Sequence, residues 1–298
     1  MDRQRPRRPP IPRVAFIGAG RAARALAAAL HTAGVPVVSV SSRSPSSAEA
    51  LARTIPGCRV GAPDDAELVL LTVPDGAIAE VAAAFSWRPG QFVVHCAGAL
   101  GREALETASN AEAVIGVWHP LQSLARPAQD FRGVRFAIDA EPPLDETLRT
   151  LTEVIGGVPL PIPAGGHAIY HLGATLVANY AVALVALAAD LWETIGIDRA
   201  SATGALAPLL AGTAANLAEI GLPDALTGPI ARGDVATVDR HLTTLGALRP
   251  QLIPLYRALG MAALKLAVER ELPVERTEAL QQRLDPHNLT TKAVAGGM

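Results

Sequence analysis

One segment near the N-terminus limits what this chain can fold into: the apolar run Val14–Ile17 is followed by Gly18-Ala-Gly20-Arg-Ala-Ala23 and then by an alanine-rich stretch. This order predicts a strand, a tight turn and a helix. Gly18 permits the turn, Gly20 lets the backbone approach a pyrophosphate, and Ala23 is small enough for helix and strand to pack closely. The free N–H groups of the first helical turn would face the negative charge. An ordinary glycine turn is the alternative, but a second strand about 20 residues later favours a dinucleotide-binding unit.

The first half of the chain alternates short apolar runs with alanine-rich runs. This alternation predicts βαβ units around a parallel sheet. Each apolar run is nearly unbroken, as is typical of strands that are covered on both faces. The predicted strands are residues 14–17, 37–40, 68–73, 92–95, 114–117 and 134–138.

The second half shows only helical patterns, after a proline-punctuated stretch that ends at Pro163. We therefore predict an α/β protein: an N-terminal Rossmann domain with a doubly wound sheet, followed by an all-α C-terminal domain. A flexible, basic and proline-rich tail is expected over residues 1–12, the dinucleotide-binding Rossmann domain over 13–163, and a helical substrate and dimerisation domain over 164–298. The predicted helices are residues 168–195, 201–220, 235–245, 252–269 and 274–284.

The overall composition excludes several classes of protein. Half of the residues are hydrophobic and 18% are charged, which does not fit an intrinsically disordered chain. The formal net charge is -2, so no overall basic field favours nucleic acid as a partner. Two cysteines, Cys58 and Cys96, are too few for a disulfide framework and indicate a reducing compartment, so we expect a cytoplasmic protein. No metal is predicted, because His95, Cys96 and His119 lack a fourth ligand.

Residues 172–191 are almost continuously apolar and long enough to span a membrane. Asn179 lies within this run and Asp190 near its end, and no second segment of the sequence resembles a span. A helix that is apolar on all sides also fits a protein core or a subunit interface. We therefore expect no membrane partner, and a homodimer formed through the helical domain.

The end of the second predicted strand favours NADP over NAD. NAD enzymes usually carry an acidic residue there, whereas this chain has Ser42, Arg43 and Ser44, with no acid before Glu49. Arg43 can bind a 2′-phosphate with two N–H groups while the serines donate hydrogen bonds, and a solvated serine-rich loop is the alternative. The ends of two further strands complete the predicted site. The predicted NADP(H) residues are Gly18, Ala19, Gly20, Arg21, Ala22, Ala23, Ser42, Arg43, Ser44, Val73, Pro74, Ala97 and Gly98.

Two histidines follow predicted strands and are expected near the same crevice. His95 and His119 suit proton transfer at neutral pH, but a buried histidine that is hydrogen-bonded to backbone is as common as a catalytic one. We expect His119 and His95 to shape the substrate pocket more than to carry the chemistry, and His119 is also a candidate catalytic residue.

A polar stripe marks the first helix of the second half. His171, Thr175 and Asn179 recur at i, i+4 and i+8 in apolar surroundings, so they share one helix face. Buried polar side chains need partners, which a bound substrate or an interhelical hydrogen-bond network could supply. Further on, Arg232 lies in a glycine-bounded loop and could bind a substrate carboxylate.

Several segments together resemble a known group of proteins: GAGR at 18–21, VVHCAGAL at 93–100, WHPLQS at 118–123, YHLGATLVANY at 170–180 and LTGPIARGD at 226–234. They resemble Rossmann-like NADP oxidoreductases that have a C-terminal helical domain of unassigned function. More distantly, the chain resembles the superfamily with a 6-phosphogluconate-dehydrogenase-like helical domain, which includes ketopantoate reductases, pyrroline-carboxylate reductases and coenzyme F420-dependent NADP reductases.

For the hydroxyacid-type enzymes of this superfamily, the resemblance implies a catalytic lysine on the first helix after the Rossmann domain, followed by an asparagine at helical spacing. His171 stands where that lysine belongs, and Asn179 matches the asparagine. We therefore predict an NADPH-dependent reductase of a small carbonyl acid such as ketopantoate. His171 would donate the proton, Asn179 would orient the oxygen and Arg232 would hold the carboxylate. The alternatives are an imine reductase or a coenzyme F420-dependent NADP reductase, and a non-catalytic NADP sensor.

Overall fold

The computed structural model describes residues 10–124 and 130–285, so the predicted tail at 1–12 lies largely outside the described residues. An eight-stranded sheet forms the centre of the first half of the chain. Its strands are β1 (Val14–Ile17), β2 (Val37–Ser41), β3 (Arg59–Val60), β4 (Leu68–Leu71), β5 (Phe92–His95), β6 (Val114–Pro120), β7 (Arg135–Asp139) and β8 (Val158–Pro161).

The sheet confirms the predicted α/β class and its Rossmann-like N-terminal domain. The strand order is β3-β2-β1-β4-β5-β6-β7-β8, and the chain reverses direction in the sheet after β1 to β3. The neighbouring pairs among β1 to β6 are parallel. Because parallel strands place their carboxyl ends at one edge, the loops after β1, β2, β4, β5 and β6 meet there.

The strands of this sheet are buried on both faces. In β1, Val14 and Phe16 belong to one hydrophobic cluster, whereas Ala15 and Ile17 belong to a second cluster across the sheet. Helices cover both sides and supply the rest of each core. The described helices of this part are α1 (Arg21–Thr32), α2 (Pro45–Ala52), α3 (Ile78–Ala83), α4 (Glu106–Asn110) and α5 (Leu144–Val154).

Strand β7 runs antiparallel to β6, which the sequence analysis did not predict. The described residues between the two strands contain no helix that could carry a parallel crossover. In this register Asp139 lies opposite Val117, and Ala137 lies opposite His119. The carboxyl end of β7 therefore lies beside the middle of β6.

The second half is helical, as predicted. Its described helices are α6 (His167–Glu193), α7 (Arg199–Ile220), α8 (Val235–Leu248), α9 (Ile253–Glu269) and α10 (Val274–Leu284). The chain divides into two compact units between Tyr180 and Ala181, so the first half of α6 belongs to the same unit as the sheet. The predicted boundary after Pro163 lies 17 residues earlier than this division.

Helix α6 is far more exposed in the single chain than a core helix would be. Only 6% of its most apolar stretch is buried, and Ile169 and Val177 are each 78% exposed. A second helical stretch, Pro250–Glu269, is also long and apolar enough to cross a membrane, so the expectation that no second segment resembles a span is wrong. Length and composition alone are weak evidence for a membrane helix, because core helices of soluble proteins have the same properties.

Candidate active site

A cavity of about 530 Å³ lies at the carboxyl ends of β1, β2 and β4. It is lined by backbone of the glycine turn, by the serine and arginine residues after β2, and by one side of α3. Seven of the predicted cofactor residues line it: Gly18, Ala19, Gly20, Ser42, Arg43, Val73 and Pro74. Its other lining residues are not among those predicted to bind the cofactor; they are Ile17, Ser41, Thr72, Ala77, Glu80, Val81, Ala84 and Phe85.

Gly18 is required by both its backbone conformation and its neighbour. Its φ is +107°, a region that favours glycine. A Cβ atom at this position would lie 2.6 Å from the carbonyl oxygen of Thr72. The hydroxyl of Thr72 lies 3.2 Å from the carbonyl oxygens of both Ile17 and Gly18 and donates to this pair. Thr72 therefore holds the turn between β1 and α1 against the end of β4.

Gly20 has a different role, because a Cβ atom there would meet no atom within 4 Å. Gly20 is the N-cap of α1, and no side chain caps the helix. The backbone N–H groups of the first turn are therefore available to an anion. Ala23 is fully buried, as expected for a residue that lets α1 pack on the sheet.

The loop after β2 presents polar groups to the cavity. The Oγ of Ser41 is buried and has no hydrogen-bond partner within the described residues. Arg43 lines the cavity beside it. Ser44, by contrast, is not a lining residue, because its hydroxyl accepts from the N–H of Ser47 and caps α2. An unpartnered hydroxyl, a guanidinium and free helix N–H groups together fit a phosphorylated dinucleotide.

The remaining predicted cofactor residues lie outside this cavity. Arg21 and Ala22 line a separate space of about 330 Å³ together with Ser123 and Leu124. Ala97 is 5% exposed. Gly98 follows β5 and belongs to a second cluster.

This second cluster contains two histidines and one tyrosine around Gly98. The Nδ1 of His119 lies 2.8 Å from the hydroxyl of Tyr170, and the two rings meet edge to face. A Cβ atom at Gly98 would lie 3.0 Å from the Nε2 of His119 and 3.0 Å from the Cδ2 of His171. Both imidazoles therefore pack against Gly98, and only glycine leaves room for them.

The hydrogen-bonded pair in this cluster is uncharged at neutral pH. Burial, followed by the nearby histidines His171, His167 and His95, lowers the pKa of His119 to about 4. Burial also raises the pKa of Tyr170 to about 12. A neutral imidazole has one N–H and one acceptor nitrogen, and a hydroxyl can either donate or accept. When Tyr170 donates to Nδ1, the proton of His119 is on Nε2, the ring nitrogen that lies against Gly98.

His95 has a structural role. It is fully buried; its Nδ1 accepts from the N–H of Ala97 at 3.2 Å, and its Nε2 donates to the carbonyl oxygen of Gly101 at 3.0 Å. Burial lowers the pKa of His95 below its ordinary value. This is the backbone-bonded histidine that the sequence analysis weighed as one of two possibilities.

The other predicted catalytic residues are not brought into the cluster around Gly98. On α6, Thr175 is half-buried and Asn179 is exposed, so the expectation that His171, Thr175 and Asn179 form a buried stripe does not hold in the single chain. Arg232 lies in the second unit, in the loop before α8, where its backbone carbonyl accepts from Arg276.

Two histidines whose pKa values are lowered in the folded protein, His95 and His119, predict an acid-sensitive fold. His95 and His119 stay neutral in the folded protein, whereas the unfolded chain protonates them near pH 6.5. Protons therefore bind the unfolded state more tightly, and the free energy of unfolding should fall as the pH is lowered from 6.5 to about 4.

This expectation can be checked by urea unfolding over that pH range for the wild type and for His119→Asn. The stability of the wild type relative to the variant should decline toward low pH, because the variant lacks one of the two groups. A difference that stays constant with pH would contradict the burial of a neutral His119.

The chain matches two family profiles. A Rossmann-like domain matches residues 2–120, and a domain of unknown function, DUF2520, matches residues 134–263. No curated protein matches the chain. The cavity lies within the first match, whereas Tyr170 and His171 lie within the second.

Solved structures share the fold over most of the chain. A Bacteroides fragilis protein, provisionally named an NADP oxidoreductase, is 26% identical and covers 85% of this chain and 98% of its own, with a TM-score of 0.67. A 1-pyrroline-5-carboxylate reductase from Streptococcus pyogenes is 17% identical, over 87% of this chain and 97% of its own, with a TM-score of 0.60. A reductive aminase from Aspergillus terreus, solved with NADPH and ethyl levulinate, is 17% identical, over 86% of this chain and 95% of its own, with a TM-score of 0.60. These matches confirm the resemblance to Rossmann-like NADP oxidoreductases that carry a helical domain of unassigned function.

Proposed function

We propose that this chain, in which a Rossmann-like domain precedes a DUF2520 domain, is an NADPH-dependent reductase that acts on the carbonyl group of a small acid. The observation that carries the proposal is the hydrogen-bonded pair of His119 and Tyr170 at Gly98. Gly98 follows β5, which pairs with β4, and the residues after β4 line the cavity whose free backbone and side-chain groups fit NADP. A reductase needs a cofactor site and a proton source within reach of it.

The cavity residues would hold the cofactor in distinct ways. The N–H groups after Gly20 face the pyrophosphate, and Arg43 with Ser41 and Ser42 binds the 2′-phosphate. When bound, NADPH supplies the hydride for the reduction. Glu80 also lines the cavity, and its carboxylate can accept a hydrogen bond from a ribose hydroxyl or an adenine amino group.

Reduction of a carbonyl also needs a proton for the developing alkoxide. We assign its delivery to the Nε2–H of His119, while the hydroxyl of Tyr170 donates its proton to Nδ1, so that the imidazole stays neutral and the resulting tyrosinate takes a proton from water. The low pKa of His119 means that the proton comes from a neutral N–H group rather than from an imidazolium. His171, the proton donor predicted from the sequence, also packs against Gly98 and is the competing candidate.

The residues proposed to recognise the substrate's carboxylate and its reacting oxygen are those predicted from the sequence. Arg232 is the candidate for the carboxylate, and Asn179 is the candidate to orient the reacting oxygen. Ketopantoate remains the first substrate to test.

Reduction of a C=N bond is the second candidate. No lysine precedes Lys265, so the cationic acid implied by the hydroxyacid-type relatives is missing. A protonated imine brings its own proton and requires less of the site than a ketone does. Both the pyrroline-carboxylate reductase and the reductive aminase with this fold are named for chemistry at carbon–nitrogen bonds.

A screen of NADPH oxidation, followed by absorbance, separates these functions. Turnover of a keto acid such as ketopantoate would support the first candidate, and turnover only with cyclic imines, or with a ketone plus an amine, would support the second. Oxidation that requires coenzyme F420 would identify a third reductase class. Tight NADPH binding without turnover of any compound would instead favour a sensor.

The variant Arg43→Glu tests the cofactor assignment. It places a carboxylate beside the proposed 2′-phosphate site, so NADPH affinity should fall about ten- to a hundredfold while NADH affinity changes little. Fluorescence titration with both cofactors measures the two constants. Equal losses for NADPH and NADH would show that Arg43 does not bind the 2′-phosphate.

We also propose that the protein is a homodimer formed through its helical part. Large apolar side chains are exposed on α6 and α7, including Val177 at 78% and Leu209 at 67%. Exposed large apolar side chains of this kind favour an interface. Sedimentation of the wild type should give twice the monomer mass, and Val177→Glu should shift it toward monomer. Val60→Glu, at an exposed apolar residue on the edge strand β3, is the matched control and should leave the mass unchanged. A monomeric wild type, or one soluble only in detergent, would contradict the proposal.

A further inference from the structure

The first residue of α6, His167, is held by a buried acidic residue. Its Nε2 donates to Oδ2 of Asp139 at 3.1 Å, and the Nε of Arg102 donates to Oδ1 of the same carboxylate at 3.0 Å. His167 is 3% exposed and Asp139 is 7% exposed. On its outer side, Arg102 also pairs with Glu141 at 2.9 Å. Without Asp139, the Nε2 of His167 and the Nε of Arg102 would both lose this acceptor.

The contact between His167 and Asp139 lies next to the one between Tyr170 and His119. Residues three and four apart share a helix face, so His167, Tyr170 and His171 all point to the sheet side of one helical turn. In the antiparallel ladder Val117 lies opposite Asp139, and His119 is two residues beyond Val117. Because side chains alternate along a strand, Asp139 and His119 are on the same face of the sheet. One helical turn thus makes two polar contacts, with β7 and with β6.

This turn of α6 has few other restraints. It follows Gly165 and Gly166, and Gly165 has a φ of +77°, so the chain that enters the helix is conformationally permissive. Ala168 and Ile169 are exposed. The Nδ1 of His167 is buried without a partner among the described residues, so Asp139 is the polar group that orients the ring in this part of the chain. A carboxylate near the start of a long helix is also favourable because of the helix dipole.

We propose that Asp139 and His167 are the positioning pair of the active site: they fix the first turn of α6 on the sheet and thereby hold the hydroxyl of Tyr170 at the Nδ1 of His119. This inference rests on the proposed function, because the pair would position the group that is proposed to deliver the proton. It makes no use of proton exchange by His167 itself. The role requires a hydrogen-bond donor at position 167 and an acceptor at position 139.

The geometry predicts different results for two variants at the same position. His167→Gln keeps an N–H donor for Asp139, whereas His167→Leu fills the space and removes the donor. The readout is the side-chain ¹⁵N NMR signal of His119, assigned by its loss in His119→Asn. In the wild type and in His167→Gln we expect one neutral tautomer of His119 that titrates near its low pKa of about 4. In His167→Leu we expect mixed tautomers, with the pKa moving toward 6.5 as water reaches the ring.

Two further variants keep the experiment decisive. Asp139→Leu removes the acceptor and keeps a side chain of similar size, and it is read in the same way if His167→Leu does not fold. Asp239→Leu removes an ion pair with Arg283 on α8 and α10, and should leave His119 as in the wild type. A His119 tautomer and titration unchanged in both His167→Leu and Asp139→Leu would overturn the positioning role.

Neither NADPH nor a substrate is needed for the NMR result, so failure of the substrate screen does not decide it. NADPH affinity, measured by fluorescence, should stay within about twofold in all these variants because none alters the cavity lining. With any compound that turns over, His167→Leu should lower kcat about tenfold or more with little change in KM, and His167→Gln should retain most of the rate. Equal loss of kcat in both variants, with His119 unchanged by NMR, would instead make His167 a proton carrier.

Discussion

Replacing His119 with alanine is expected to lower kcat about a hundredfold or more, the usual contribution of a positioned acid or base. The substitution removes the ring whose Nε2 lies against Gly98 and leaves the hydroxyl of Tyr170 without its partner. NADPH affinity should hardly change, because His119 is not among the residues that line the cofactor cavity. Steady-state kinetics with the compound found in the screen, and fluorescence titration with NADPH, measure the two effects.

Two further variants show which group delivers the proton. Tyr170→Phe keeps the aromatic contact and removes only the hydroxyl, so a loss of about tenfold or more would support its role in holding the His119 tautomer. His171→Ala tests the donor that the sequence analysis predicts. If His171→Ala abolished turnover while His119→Ala remained active, the proton would come from α6 and the assignment to β6 would be wrong.

The second large effect is expected at the glycine turn, where substitution of Gly18 should lower the free energy of unfolding and substitution of Gly20 should not. Gly18→Ala forces a Cβ against the backbone of Thr72 and a positive φ on alanine, so it should reduce the free energy of unfolding by about 2–4 kcal/mol. Gly20→Ala meets no atom of the protein and should leave stability within about 0.5 kcal/mol.

Cofactor binding should follow a different pattern from stability in this pair. The methyl group in Gly20→Ala occupies the space through which the backbone approaches the pyrophosphate, so NADPH affinity should fall about tenfold or more in a fully folded protein. Urea unfolding and NADPH titration of both variants give the comparison. A Gly20→Ala protein that binds NADPH like the wild type would move the pyrophosphate away from the start of α1.

The parts of the fold that were predicted well are those that local sequence specifies. Strands β1 and β5 have the predicted bounds, because a strand buried on both faces is an unbroken apolar run. Strand β3 was missed, since it has two residues, Arg59 and Val60, and both are exposed. The antiparallel direction of β7 depends on the path of its connection, which no residue pattern reveals.

In the candidate site too, features set by short local segments were predicted, whereas contacts between distant segments were not. The predicted glycine turn and Arg43 line one cavity, and both were recognised from short local segments of the sequence. Tyr170 was missed as a partner of His119 because the two residues are 51 positions apart. Its place beside His171, on the helix face that carries the polar stripe, was the available signal. The capping role of Ser44 was equally hidden, since a serine that can bind phosphate can also cap a helix.

The course of α6 sets a rule for building chimeras with related proteins. The imidazole of His119 is encoded with the Rossmann sheet, whereas the hydroxyl that contacts it is encoded in the segment that matches the domain of unknown function. A graft joined after Pro163 would replace Tyr170 and leave His119 against a foreign helix. A graft joined after Tyr180, where the compact units divide, would transfer the pair intact. The shortest segment that carries both His119 and Tyr170 in their native surroundings therefore extends beyond the nucleotide-binding domain by about half of α6.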